Sequence, residues 1–276
     1  GQVDWIEVPP PDAIGSLRQA GFNIVTNSYP HVWPWVFATG RASSPVADVR
    51  VRQALNYCID REGMVQLLNG TAEPSVGFVK ANDPTFGNPQ NRYRLDPARG
   101  RALLAEAGYP DGFRITLHTP NDRWPNDARL AQAVAQMWTR IGIRTQVDAS
   151  PWTAFVPRRA RVEYGMQIGA WGSSTGEASN FLVNTVATHD RQRLTGANNN
   201  ARYSSPVFDA FAARGSATLD DAAREKIWHE AIARYAEDEP LIQLVQYLNT
   251  WGLRKGLRHE PRMDERTLAM GVRQAP

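Results

Sequence analysis

FRITLHTPNDRWPNDARLAQAVAQMWTRIGIRTQV, residues 113–147, is the stretch on which the fold turns. Phe113 to Thr119 alternates apolar and polar side chains with a period of two, the pattern of a strand with one buried face. Leu130, Val134, Met137, Trp138 and Ile141 then recur at helical spacing, Gly142 ends that helix, and Ile143 to Val147 reads as the next strand. Strand, helix, strand in succession is the unit of an α/β sheet with parallel pairings, because two parallel neighbours need a long crossover between them.

The same alternation extends in both directions. Toward the amino terminus, Val3 to Val8 is extended, Pro11 starts a short helix closed by Gly21, and Phe22 to Thr26 returns as a β-rich run. In DVRVRQALNYCIDREGMV, residues 48–65, Val51, Leu55 and Cys58 share one helix face with the arginines outward. Asp60 caps a second helix that ends at Gly70. Residues 71–94 are rich in Pro, Gly and Asn without a steady period, which predicts a long surface loop. Asp96-Pro97 is an N-cap with proline at the first helical position, and Gly108 stops that helix. Toward the carboxy terminus come a strand from Met166 to Trp171, a helix near 178–186, two helices between Pro206 and Glu239 with the second capped by Asp220 or Asp221, and a closing strand from Leu241 to Val245. In open sheets of this kind ligands gather at the carboxyl ends of the strands.

Composition narrows the function. With 276 residues, 42% of them apolar, the chain can bury one large core or two smaller ones. Its formal charge is +3, and Lys80, Lys226 and Lys255 are its three lysines, so arginine carries the positive charge. No basic run with interleaved aromatics follows a phosphate backbone, so nucleic acid is not expected as a partner. No stretch approaches the roughly 20 apolar residues of a spanning helix, and the first residues lack the basic, apolar and small-residue regions of a signal peptide. The chain as it stands therefore reads as soluble, without direct membrane insertion. The single cysteine, Cys58, excludes an internal disulfide and reads as a small buried hydrophobe. The histidines His31, His118, His189, His229 and His259 are scattered, with neither a two-histidine helical motif nor a cysteine-histidine cluster, so no metal or other cofactor is expected. Neither a G-x-S-x-G elbow nor a phosphate-binding loop occurs, and the sequence offers no enzyme signature.

Four stretches in order, DVRVRQALNYCIDREGMV from Asp48, LDPARGRALLAEAGYPDGF from Leu95, IGIRTQV with PWTAF between Ile141 and Phe155, and AWGSSTGEASNFL from Ala170, resemble the peptide, opine and nickel class of periplasmic solute-binding proteins, family 5. The resemblance implies an α/β fold of the type II periplasmic-binding-protein kind: a lobe with a mixed sheet and flanking helices, plus partial segments of the other lobe. Members are typically near twice this length, with solute enclosed between two hinged lobes. On that basis residues 1–32 are a partial first-lobe segment, 33–247 the carboxy-terminal substrate-binding lobe, and 248–276 a returning first-lobe segment. The chain is then a carboxy-terminal half without the amino-terminal lobe, and should bind weakly alone because half of the burial surface is missing. The implied setting is the periplasm or cell exterior, with a lipid anchor on an amino-terminal segment outside this chain as one form of attachment. The implied partners are a small-molecule or short-peptide solute and the transmembrane permease of an ABC importer, and a monomer is expected.

The resemblance also nominates binding residues. Trp171 matches a pocket-lining tryptophan of dipeptide binders, and its place after a β-run suits a cleft, while core packing is the competing reading. The aspartate that pairs there with a peptide amine is replaced by Ser174, which cannot supply the charge-assisted bond, worth about 1.5 to 3 kcal/mol net. Glu177 is the alternative acceptor, or simply a favourable charge at a helix start. Backbone groups of the 172–176 loop, with Ser173, Ser174 and Thr175, would complete the hydrogen bonds. Arg123 matches an arginine that grips a solute carboxylate, a task its planar fork suits, and a solvated loop arginine is the other reading. Trp124 abuts it and is the next cleft candidate, ahead of Trp33, Trp35 and Trp152. The reading from a different functional class is an exported interaction module that signals to a membrane receptor without itself binding solute.

Overall fold

The computed structural model describes residues 3–28, 31–32, 34–37, 43–75, 93–172, 177–262 and 266–276. The chain opens with strand β1 (Trp5–Glu7), a tight turn running into helix α1 (Ile14–Gln19), and strands β2 (Asn23–Ser28), β3 (His31–Val32) and β4 (Pro34–Phe37). Helices α2 (Val49–Tyr57) and α3 (Arg61–Gln66) follow, then strand β5 (Ala72–Pro74). Next come helix α4 (Pro97–Glu106), strand β6 (Arg114–Pro120), helix α5 (Asp127–Thr139), strand β7 (Arg144–Ser150) and helix α6 (Trp152–Ala160). Strands β8 (Met166–Ile168) and β9 (Trp171–Gly172) lead to helix α7 (Ala178–Phe181), which widens into one π turn at Leu182–Val186. Helices α8 (Pro206–Ala217) and α9 (Asp221–Asp238) precede strands β10 (Leu241–Gln243), β11 (Val245–Leu253), β12 (Leu257–His259) and β13 (Val272–Gln274).

Local sequence sets most of these boundaries. Asp48, Asp60, Asp96, Ser205 and Asp220 each accept a backbone N–H of the first helical turn, satisfying donors that have no partner within the helix. Pro97 and Pro206 add the fixed φ that a first helical position accepts. Gly142, at φ +96°, ends the helical segment with its amide bonded to Thr139. Its carbonyl lies so close to Gly112 that a Cβ there would stand 2.0 Å from it, so the turns before β6 and β7 can meet only through glycine.

One sheet has the order β10-β4-β8-β6-β7. β6 runs parallel to β7 and β8, whereas β4 is antiparallel to both β8 and β10, making the sheet mixed. The second sheet is built on β11, which pairs with β1 and β2 over its later residues and with β5 over Val245–Tyr247. β12 and β13 form a separate ladder. Two side chains and two runs differ from the sequence expectation: Arg52 and Arg61, expected outward, are buried because their guanidiniums bond to backbone carbonyls and Asn56 inside the fold. The Met166 to Trp171 run breaks at Gly169-Ala170, and β9 leaves the five-stranded sheet to pair with β3. The closing strand stops at Gln243, and the chain re-forms as the longer β11, which is buried on both faces and carries polar Gln246, Asn249 and Thr250 inside.

Two apolar cores result. The larger joins α2, α4 and α5 to the five-stranded sheet around Leu55, Leu104, Leu117, Val134 and Trp138. Cys58 lies within it, as its helical register requires. The smaller gathers α7, the π turn, α8 and α9 around Phe181, Phe208, Trp228 and Ile232, with Trp171 against its edge. Most of the 71–94 loop, residues 76–92, lies outside the described residues.

Candidate functional site

β6, β7, β8 and β10 share one direction, so their carboxyl ends line up along one edge of the sheet. The loop 121–126 leaves β6 at that edge. Its shape depends on Asp127, a buried carboxylate at the first position of α5. Asp127 accepts hydrogen bonds from the backbone amides of Arg123 (3.2 Å), Trp124 (3.1 Å) and Ala128 (2.8 Å). Burial nevertheless holds its carboxyl above the ordinary aspartate value, outweighing those three donors. Two further bonds fix the loop from outside: Tyr247 Oη donates to the Pro125 carbonyl at 2.7 Å, and Asn126 Nδ2 donates to Leu67 O at 3.3 Å.

The loop presents Arg123 to solvent, with its guanidinium 5.5 Å from the ring centre of Trp152 and 5.9 Å from that of Trp124. The two indoles meet edge to face at 5.4 Å, and the Trp152 amide donates to Asp122 Oδ1 at 2.7 Å. Next to Trp124 a shallow recess, partly open to solvent, is lined by Trp124, Asp127, Ile168, Leu244, Val245 and Tyr247 among others. Its wall is almost wholly apolar, because Asp127 spends its oxygens on the loop amides.

Trp171 stands beyond the end of β8, half-buried against the smaller core, and its Nε1 donates to Asn180 Oδ1 at 2.7 Å. Glu177 occupies the N-cap position of α7 without a side-chain cap bond, and its Oε1 accepts from Arg224 Nε at 2.8 Å. Ser173, Ser174 and Thr175, together with Trp33 and the side chain of Trp35, lie outside the described residues. Arg123, Trp124 and Trp152 are thus brought together, while Trp171 and Glu177 pack with the second core and α9.

Sequence reading passed over Asp127, Tyr247 and Arg159. It also passed over a pair on neighbouring strands, His118 and Asp148, which stand in register with Nδ1 and Oδ2 3.0 Å apart. His118 stacks on Tyr164 at 4.2 Å, and burial lowers its pKa despite the carboxylate beside it. Arg158 and Glu163 close this group at the surface, tying α6 to the sheet. Among the described residues, no three His, Cys, Asp or Glu side chains gather as a metal ion requires, and no helix is long and apolar enough to cross a membrane.

The architecture is that of the periplasmic binding proteins. A dipeptide-binding protein from Pseudoalteromonas sp. SM9913, solved in complex with Met-Leu, superposes with a TM-score of 0.84 at 20% identity, covering 99% of this chain and 54% of the other. The family model for bacterial extracellular solute-binding proteins, family 5 (middle), matches residues 1–192, and the chain belongs to that family. It is 29% identical over 243 residues to the glutathione-binding protein GsiB of Escherichia coli, covering 86% of this chain and 47% of that one. It is 26% identical over 225 residues to heme-binding protein A of Haemophilus influenzae, covering 78% and 38%. The chain therefore spans less than half the length of these curated relatives.

Proposed function

We propose that this chain is the carboxy-terminal half of an extracellular solute-binding component of an ABC importer, and that it binds without catalysing. Residues 33–247 form the solute-binding lobe, with 1–32 and 248–276 belonging to the first lobe, whose remainder lies outside this chain. The intact protein closes around a peptide or peptide-like solute bearing a carboxylate, and a transmembrane permease reads the closure. Arg123 holds the anion, Trp171 packs against the body of the solute, and backbone groups of the 172–176 loop complete the hydrogen bonds. Relatives named for glutathione and for dipeptides support a peptide-like cargo, since a peptide ends in a carboxylate.

The observation that carries this reading is the exposed guanidinium of Arg123, on a loop whose backbone is pinned by a buried carboxylate at the carboxyl edge of the sheet. Preorganisation of that kind lowers the ordering cost of binding. In the intact protein, Arg123→Ala is expected to weaken a carboxylate ligand such as Met-Leu at least tenfold by titration calorimetry, about 1.4 kcal/mol. An unchanged affinity refutes the assignment. A melting temperature that stays flat across peptides, opines, sugars and metal chelates would favour an exported interaction module instead, because any solute that binds the native state alone must raise it.

A further inference from the structure

Arg158 and Arg159 in the last turn of α6 and Arg161 just beyond it are not equivalent. Arg158 and Arg161 both pair with Glu163, and Arg158 also reaches Asp148. Arg159 turns the other way: its guanidinium lies 5.4 Å from the ring centre of Trp152, about two turns back along α6. The same indole is approached from the 121–126 loop by Arg123 at 5.5 Å. Among the described residues, no carboxylate stands within ion-pair distance of either guanidinium, whereas their neighbours Arg158 and Arg161 are both paired.

Two cations approach one indole, and cation–π attraction holds each against it. Arg159 is also half-buried, so it has given up hydration without gaining a counter-charge, and burial alone lowers its pKa. An arrangement of this sort is completed by an anion. A guanidinium suits a carboxylate better than other cations do, since its planar fork offers parallel donors, and both guanidiniums lie about 5.5 Å or less from the Trp152 ring centre.

We propose that Arg123 and Arg159, converging on the indole of Trp152, form a two-cation site that selects solutes carrying a second acidic group beside the carboxylate held by Arg123. The inference rests on the reading of the 121–126 loop as a solute-binding wall, and it names the cargo more narrowly: a di-acid, such as a peptide with an acidic side chain. Arg123 supplies the common grip, and Arg159 supplies the discrimination.

Ala-Glu and Ala-Gln, nearly isosteric and different by one carboxylate, test it by titration calorimetry on the intact two-lobed protein. Wild type is expected to bind Ala-Glu at least tenfold more tightly, about 1.4 kcal/mol, with the ratio shrinking as salt is raised. Arg159→Gln should bring the two affinities within twofold of each other, and Arg159→Lys, a point charge without the fork, should keep only part of the preference. Equal affinities in wild type, a preference that survives both substitutions, or a proportionate loss for both peptides would overturn the inference and leave Arg159 as a staple for Trp152. If Arg159→Gln does not fold, the lysine variant decides: an undiminished ratio overturns the proposal. Binding of both peptides that is lost in Arg123→Ala but never discriminates sinks the two-cation site alone. Failure of both peptides to bind wild type sinks the peptide-carboxylate reading and this inference with it.

Discussion

Tyr247 donates its phenolic hydrogen to the carbonyl of Pro125 at 2.7 Å, joining strand β11 to a loop 122 residues away in sequence. β11 takes part in both the pairing with β5 and the sheet with β1 and β2, and Tyr247 stands at the junction of the two pairings. Burial raises the phenol pKa further, so this donor keeps its proton throughout the physiological range. Tyr247→Phe removes the hydroxyl, keeps the ring in the wall of the apolar recess, and leaves the Pro125 carbonyl short of a donor. The expected loss is about 1 kcal/mol of unfolding free energy in urea, with a few-fold weaker solute binding in the intact protein. A variant as stable as wild type would show that water replaces the bond without cost.

Asp127 holds the loop from beneath, and its titration has a definite sign. Its folded pKa lies above the ordinary value of 3.8, so between those two values the folded chain holds a proton that the unfolded chain has released. The associated stability is fully present below the unfolded pKa and is lost as pH rises through the folded one. Asp48, Glu163 and Asp190, held below their ordinary values chiefly by hydrogen bonds from Arg50, from Arg161, and from the amides of Arg193 and Gln192 respectively, contribute in the opposite direction, losing stability as pH falls. Asp127→Asn should therefore cost about 1 to 3 kcal/mol, and its deficit against wild type should be larger in acid than at neutral pH. Urea midpoints across that range decide the point, and a deficit that grows toward neutral pH would contradict the raised pKa.

Much of the fold can be read where the cause is local. Capping by Asp60, Asp96 and Asp220, the stop at Gly142 and the buried face of Val51, Leu55 and Cys58 all depend on residues within a few positions of one another. The antiparallel run of β4 between β8 and β10 does not, because strand direction is decided by which edges are free when the sheet assembles. The split of 166–171 into two strands is equally remote, since only the partner β3 draws Trp171 away. In the candidate site, Arg123 and Trp124 are adjacent and were legible together, aided by resemblance to a family. Arg159 was not: a helical arginine between two surface arginines looks like its neighbours until the loop bearing Arg123 is folded onto the same indole. Asp127 was hidden differently, as an acidic residue at a helix start has an ordinary explanation in the helix dipole.

Cys58, at the C-cap of α2, packs against Gly100 of α4. A Cβ on Gly100 would stand 2.5 Å from Cys58 Sγ and 3.2 Å from the Ala54 carbonyl. Glycine inside a helix normally loses about 1 kcal/mol to alanine, yet Gly100→Ala should destabilise here, because the buried thiol has nowhere to move. Pairing it with Cys58→Ala should recover part of the loss, and a double-mutant cycle by chemical denaturation measures that coupling. Burial also pushes the Cys58 thiol up to about 12, so the native protein should resist alkylation at mildly alkaline pH and react only once unfolded.

Arg52 is the joint between the two cores. Its side chain is 6% exposed, and it donates to the carbonyls of Val46 (2.9 Å), Ala47 (2.7 Å), Asp238 (2.5 Å) and Glu239 (2.8 Å). The last two belong to the end of α9, where Glu239 takes a left-handed conformation at φ +47° and leaves helical carbonyls without internal partners. A guanidinium has enough donors, in a fixed fork, to satisfy all four acceptors at once. Glu239 returns a carboxylate to the same buried region, where Oε2 accepts from Asn56 Nδ2 at 3.0 Å, and Asn56 Oδ1 in turn accepts from Arg61 at 2.9 Å. Burial lowers the pKa of both arginines, with Glu239 pulling each back up. Arg52→Met fills similar space but orphans four carbonyls and removes a counter-charge from Glu239, so it should cost about 3 kcal/mol or more, against under about 1 kcal/mol for a surface pair such as Arg99 with Glu106. Because the joint ties α2 to the end of α9, hydrogen exchange in Arg52→Met should rise first along α9 and β10, ahead of α5 and β6. Uniform loss of protection would mean that the two cores unfold as one unit and that Arg52 does not link separable parts.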